Sequence, residues 1–182
     1  MHPTRRPLLS MFALLALLAL TAGVSACGYS SNSKQTNEGE PLQLGELEYN
    51  VTFSRYLNPN DSEDAAYLEG QGEAPKGESY FGVFFEVQNK SDEPQQLPST
   101  LTITDAEDNE FKVIPSKSIF ALPFEGTVEP EEQIPVLDSA AQQGPIEGSV
   151  AIFLIPEEAS ENRPLTLHIE GAEEKGEVTL DL

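Results

Sequence analysis

"SYFGVFFEVQN", Ser79–Asn89, is the stretch on which the fold turns. Phe81, Val83, Phe85 and Val87 recur at every second position, so they share one face of an extended strand. Phe84 is apolar on the opposite face. The same period runs outward in both directions. Upstream, Leu47, Tyr49, Val51 and Phe53 alternate with Glu48, Asn50 and Thr52, the pattern of a half-buried strand. Between the two lies Asn58–Gly77, rich in Asn, Asp, Gly and Pro; it reads as a long connection with one helical turn at Ser62–Leu68.

Downstream, Leu101–Thr104 points Leu101 and Ile103 inward, "DAEDNE" (Asp105–Glu110) reads as a hairpin turn, and Phe111–Ile114 returns. Ser118–Leu122 and Gln133–Leu137 read as shorter strands, and Pro123, Pro130 and Pro135 suit sheet edges. "EGSVAIFLI" (Glu147–Ile155) is a nearly continuous apolar strand stopped by Pro156; Leu165–Glu170 and Glu177–Leu182 complete the series. No stretch has a sustained helical period. Short strands separated by turn signals predict an all-β, antiparallel sandwich or barrel.

The N-terminal part follows different rules. Arg5 and Arg6 precede "LLSMFALLALLAL" (Leu8–Leu20), and small residues run from Thr21 to Ala26. A positive start, a short apolar run and a small-residue exit make a secretory signal. An uncleaved anchor over Leu8–Ala26 is the competing reading; the leucine-rich part is short for a span. Val24-Ser25-Ala26-Cys27 holds the chain's single cysteine and resembles the lipobox of bacterial lipoproteins. That resemblance implies cleavage between Ala26 and Cys27 and a diacylglyceryl group on the Cys27 thiol, hence an extracytoplasmic membrane anchor. No second cysteine is present for a disulfide. "GYSSNSKQTNEGEP" (Gly28–Pro41) is polar and poor in apolar surface, so residues 27–41 read as a flexible tether ahead of a domain over 42–182.

The chain has 182 residues and a formal net charge of −21. That balance argues against nucleic acid as a partner, because phosphate binding needs a basic face. The acids are dispersed, which favours solubility and a monomeric domain.

Four stretches resemble one family. "YFGVFFEVQNKSDEP" (Tyr80–Pro94) is similar to the strand and Asn-x-Ser-x-Glu-Pro segment of the immunoglobulin-like lipoprotein domain catalogued as domain of unknown function 4352. "TITDAEDNEFKV" (Thr102–Val113) resembles its strand–acidic turn–strand hairpin. "TVEPEEQIP" and "GSVAIFLIP" (Thr127–Pro135, Gly148–Pro156) resemble its closing turn and its strand ending in proline, with Glu131 where the family tends to have glycine. The resemblance implies an immunoglobulin-like β-sandwich of roughly seven to nine strands, tethered outside a cell membrane. It implies no activity.

Candidate chemistry is sparse. His168 in "PLTLHIEG" lies on the polar face of its strand, beside Thr166 and Glu170. A Ser-His-acid site would use His168 and Glu170, but no nucleophile-elbow motif is present. The crowded acids Asp105, Glu107, Asp108, Asn109 and Glu110, and Asp61, Glu63 and Asp64, suit hard cations such as Ca²⁺. Neither stretch has the glycine of an EF-hand loop: Glu110 and Ala66 stand there. Both read as solvated turns, and no metal or other cofactor is expected. Ile119, Phe120, Leu122 and Phe124 in "SIFALPFEG" (Ser118–Gly126) either plug one end of the core or expose a patch for a protein partner in the cell envelope. The sequence therefore predicts a membrane-tethered binding or accessory module that is not an enzyme. The alternatives are a secreted hydrolase and a Ca²⁺-binding surface protein.

Overall fold

The computed structural model describes residues 33–172 and 174–181. Its centre is β4 (Glu78–Asn89), the strand that opened the sequence reading. β3 (Leu47–Leu57) pairs antiparallel along one side of it, with a bulge between Val51 and Phe53. β10 (Ser149–Pro156) pairs antiparallel along the other side. Gly148, at φ 120°, makes that second pairing possible: a Cβ there would stand 2.9 Å from the Phe85 carbonyl oxygen. The short β9 (Gln133–Ile134) continues beside β4 at Val87 and Gln88, and β2 (Pro41–Leu44) closes the outer side of β3.

The remaining strands form the second layer. β1 (Ser33–Asn37), β12 (Lys175–Leu180), β11 (Leu165–Glu170), β6 (Leu101–Thr104) and β7 (Glu110–Ile114) follow in that order. β7 also pairs with β10 through Ile152↔Ile114 and Phe153↔Val113, which joins the layers along one side. All these pairings are antiparallel except β1 with β12. β5 (Gln95–Gln96) and β8 (Thr127–Val128) form a separate two-stranded ribbon.

Period two puts Tyr49, Val51, Phe81, Val83, Phe85, Val87 and Phe153 on the inner face of one layer. They share a buried core with Leu101, Ile103, Leu167, Ile169 and Val178 of the other. A second apolar cluster covers the outer face of the β4 layer: Leu57, Tyr67, Tyr80, Phe84, Val150 and Ile152, with Phe120 and Ile146 packed against it. This cluster is why Phe84 is apolar on the "wrong" face. Its cover is α1 (Ser62–Tyr67), where the helical turn was expected, together with connecting chain around Phe120 and Ile146. Asp61 caps α1 by accepting from the amides of Glu63 and Asp64. Buried Asp64 holds α1 to β3 through a bidentate pair with Arg55 and a 2.7 Å bond from the Asn58 amide.

Asn89 ends β4 as a fully buried polar plug. Its Nδ2 donates to the carbonyls of Glu93 (2.7 Å), Val128 (3.0 Å) and Glu129 (3.2 Å). Its Oδ1 accepts from the Ser91 amide (2.9 Å) and hydroxyl (2.8 Å). One side chain thus ties the 89–95 turn to the ribbon.

Several expectations change. Twelve strands stand among the described residues against the seven to nine expected. Part of the expected tether is sheet: Ser33–Asn37 is β1, and Pro41 opens β2. β1 has no apolar alternation to betray it. It is held by main-chain bonds to β12, by Ser33 Oγ and Gln35 Nε2 on the Glu177 carboxylate (2.7 and 2.8 Å), and by Lys34 Nζ on Glu174 (2.7 Å). Ser118–Leu122 is not a strand; Ala121 makes one parallel bridge to Val150. Gln133–Leu137 keeps pairing only over β9, and Val136 and Leu137 are exposed.

Candidate functional site

Ala26 and Cys27, the cleavage and lipidation residues, lie outside the described residues. Among the described residues no helix is long and apolar enough to cross a membrane. The other sequence candidates lie on the described sandwich.

The apolar loop is divided by the fold. Leu122 is buried in the main core and Phe124 packs against it. Phe120 turns to the second cluster, its ring 5.1 Å from that of Tyr67. Ile119 is left out at 66% exposure. The four residues therefore form no common patch: three serve as core and one is exposed.

His168 stands on the open face of the β1-β12-β11-β6 layer. Its Nε2 lies 2.8 Å from Thr104 Oγ1, and its Nδ1 lies 3.9 Å from a Glu177 carboxylate oxygen. Glu170, the partner considered from sequence, instead pairs with Lys175 at 2.8 Å. Hydrogen bonds from Ser33 hold Glu177 below the usual carboxylate range; burial works against this, and Gln35 and His168 add to the lowering. The row Thr104–His168–Glu177 has the residue types of a hydroxyl–imidazole–acid relay, but 3.9 Å exceeds hydrogen-bond length. The strands carrying it pair on both sides, so their amides are committed to ladders rather than to a developing oxyanion. The arrangement is a polar cross-strand ladder that pins β1.

The acidic turns are capping devices. Asp61 caps α1. Asp105 is buried and accepts from the amides of Glu107 (2.9 Å) and Asn109 (3.0 Å) and from the side chains of Asn109 (2.9 Å) and Asn162 (3.3 Å). Burial alone would raise its pKa, but these bonds together outweigh it and leave the carboxyl below its ordinary value. Glu107, Glu110, Glu158 and Glu161 surround it in an acidic cleft of about 590 Å³. Among the described residues no three His, Cys, Asp or Glu side chains converge on a point where a metal ion could sit.

This gives a pH prediction. A lowered folded pKa contributes stability above the unfolded value of about 3.9, and that stability is lost as pH falls through the folded value. Asp105→Asn keeps one acceptor oxygen but loses the charge and sets two amide donors against each other. Urea unfolding at pH 7 should show a loss of about 2 kcal/mol. The gap to wild type should narrow once the pH is brought below the folded pKa of Asp105. A gap equally wide in acid would show that the Asp105 charge is not what holds the turn.

A second concavity was not legible beforehand. At the end of the sandwich where β1 begins, Leu44, Leu47 and Tyr49 line a pocket of about 330 Å³ with Glu46, Gln95 and Gln96. Tyr49 is 1% exposed, and its hydroxyl is buried without a hydrogen-bond partner. Burial pushes that phenol well above its ordinary pKa, so it stays neutral. Tyr49 reads in sequence as one more inward residue of an alternating strand. Nothing in the alternation distinguishes it from Val51.

No family model matches the chain, and no curated protein does. Among solved structures, an uncharacterized β-sandwich protein of Clostridium difficile 630 is similar at a TM-score of 0.51 and 15% identity, over 83% of this chain and 96% of that one. The yjhA protein of Bacillus subtilis is similar at a TM-score of 0.50 and 11% identity, over 81% of this chain and 99% of that one. At such identities the likeness shows the fold alone, a β-sandwich.

Proposed function

We propose that this chain is a lipid-anchored, extracytoplasmic binding or accessory module of the cell envelope, not an enzyme, with a sandwich of the immunoglobulin-like lipoprotein kind. The observation that carries the reading is Val24-Ser25-Ala26-Cys27 behind a basic start and an apolar run. The formal net charge of −21 fits a protein partner better than nucleic acid. The polar ladder at His168 and the capped acidic turns serve structure, which leaves binding as the better use of the surface.

The test is the mass of the N-terminal peptide from membranes. Wild type should yield a peptide beginning at acylated Cys27, because two or more acyl chains anchor stably where one is marginal. Cys27→Ser should leave the sandwich folded, since residue 27 precedes its first strand, yet carry no acyl group and remain uncut or be cut inefficiently elsewhere. Fractionation alone does not decide, because uncut Leu8–Leu20 can itself pellet. An unmodified thiol in wild type, with the Ala26–Cys27 bond intact, would refute the reading.

A further inference from the structure

We infer that the open face of the β1-β12-β11-β6 layer is a docking surface for an uncharged, linear, β-linked glycan. This names a partner class for one face of the binding module above and rests on that reading. The strand register builds the face in two rows. Thr104, Thr166, Thr179 and Asn37 are neighbours in one row, and Thr102, His168, Glu177 and Gln35 in the next. The alternate positions of β6, β11 and β12, among them Leu101, Ile103, Leu167, Ile169 and Val178, fill the core, so the rows face away from it. Gln35 and Asn37 share the side of their partners on β12. Every residue of both rows is exposed or half-buried.

Composition selects the partner. In a chain of net charge −21, the two rows hold a single carboxylate, Glu177. Protein partners are gripped by aromatic, Met or Arg side chains, and none stands in either row. A lipid surface needs exposed large apolar groups. Those of the described residues, Phe53, Ile119, Val136 and Leu137, all lie outside this layer. The net charge repels an anionic glycan. What the rows present is hydroxyls, amide oxygens and γ-methyl groups. The hydroxyls of Thr102, Thr166 and Thr179 make no hydrogen bond within the described residues. Each can both donate and accept. Gln35 donates its amide to Glu177 at 2.8 Å and Asn37 donates to Glu40 at 3.3 Å, which leaves their carbonyl oxygens as acceptors. The Thr104–His168 bond at 2.8 Å, with the bonds from Ser33 and Gln35 to Glu177, fixes the middle of the face before a ligand arrives.

Spacing selects the partner's shape. Neighbouring strands lie about 4.8 Å apart, which sets the step along each row. That step is close to the length of one sugar in an extended β-1,4 chain. Successive sugars laid across β6, β11, β12 and β1 therefore meet successive strands. Their hydroxyls exchange bonds with the Thr and Asn groups, and their C–H edges lie on the Thr methyls. A coiled α-1,4 chain does not keep the step.

The full chain, held in a detergent without sugar headgroups, is titrated with cellopentaose by two-dimensional amide NMR, with maltopentaose as the comparison. Saturable shifts are expected for cellopentaose over Thr102–Thr104, Thr166–His168 and Glu177–Thr179, with a Kd of about 1 mM. Sodium chloride at about 0.5 M should leave that affinity unchanged, because no charge pair is involved. Maltopentaose should bind at least about tenfold more weakly. Thr166→Val and Thr179→Val keep the side-chain shape and the strand preference. Each should weaken binding about threefold to tenfold, the range of one neutral hydrogen bond. Four results would each overturn the proposal. They are no saturable shift up to about 10 mM cellopentaose, equal affinity for the two pentaoses, loss of binding in salt, and unchanged affinity in both valine variants. The readout is independent of the anchor: an unacylated Cys27 leaves these shifts in place, and a face that binds no glycan leaves the N-terminal peptide mass unchanged.

Discussion

Asn89→Asp is expected to destabilise the sandwich by about 4 kcal/mol at pH 7, a large share of the 5–15 kcal/mol that holds a typical domain together. The two side chains have nearly the same shape, so packing is not at issue. Asn89 Nδ2 faces the carbonyls of Glu93, Val128 and Glu129. An aspartate puts a second oxygen there, and a buried negative charge then meets three carbonyl dipoles with no donor between them. The bonds from Ser91 to Oδ1 survive, which is too little to solvate a buried carboxylate. Asn89→Ala should cost less than Asn89→Asp, because it removes the bonds without adding a charge. Equilibrium urea unfolding followed by far-UV circular dichroism gives both numbers. A loss under about 1 kcal/mol for the aspartate variant would mean that water reaches the site, and that Asn89 is no plug.

Phe84→Ala should cost a similar amount, about 3–5 kcal/mol, by a different route. Phe84 is fully buried on the outer face of β4, its ring 5.1 Å from Tyr67 in an edge contact and 6.4 Å from Phe53. Its removal leaves a void between the sheet and its cover. α1 is one turn and a half and owes its place to this contact and to the Arg55–Asp64 pair. Hydrogen exchange should therefore accelerate first over Ser62–Leu68 and around Ile146, while β11 and β12 stay protected until global unfolding. Uniform acceleration across both layers would show that the outer cluster and the main core unfold as one unit.

The legibility of this fold followed the visibility of side-chain burial. β6 and β11 fall where alternation places them, because Leu101, Ile103, Leu167 and Ile169 are buried at every second position. β10 was found because it is apolar on both faces, one toward each cluster. β1 was missed because its pairing lies in the main chain and in polar contacts to Glu177, to which hydrophobic period is blind. Ser118–Leu122 misled for the opposite reason: Phe120 and Leu122 pack inward, but onto two different clusters rather than on one face of a strand, and Ile119 is exposed. The Asn89 stretch carried its signal in plain view. The Asn-x-Ser-x-Glu-Pro pattern is the covalent trace of a plugged turn, although sequence alone gave it no physical role. The Tyr49 pocket could not be found in this way, since it is a property of two turns and the short strand β5 meeting at one end of the sandwich.

The capture of Ser33–Asn37 into the sheet has a mechanical consequence. Chain arriving from the N-terminal side meets the folded body at Ser33, beside Lys175, and β1 then runs parallel to β12. A pull on Ser33 along the strand axis loads the five registered positions of β1 together, in shear, instead of peeling them one at a time. The Lys34–Glu174 pair and the Ser33–Glu177 bond stand at the loaded end. A leash drawn from Cys27 would span only roughly 20 Å of extended chain before it met that clamp. If Cys27 carries the proposed anchor, such a leash would confine the sandwich to a thin layer above the membrane, and drag and collisions would fall on the strand that looked least like a strand.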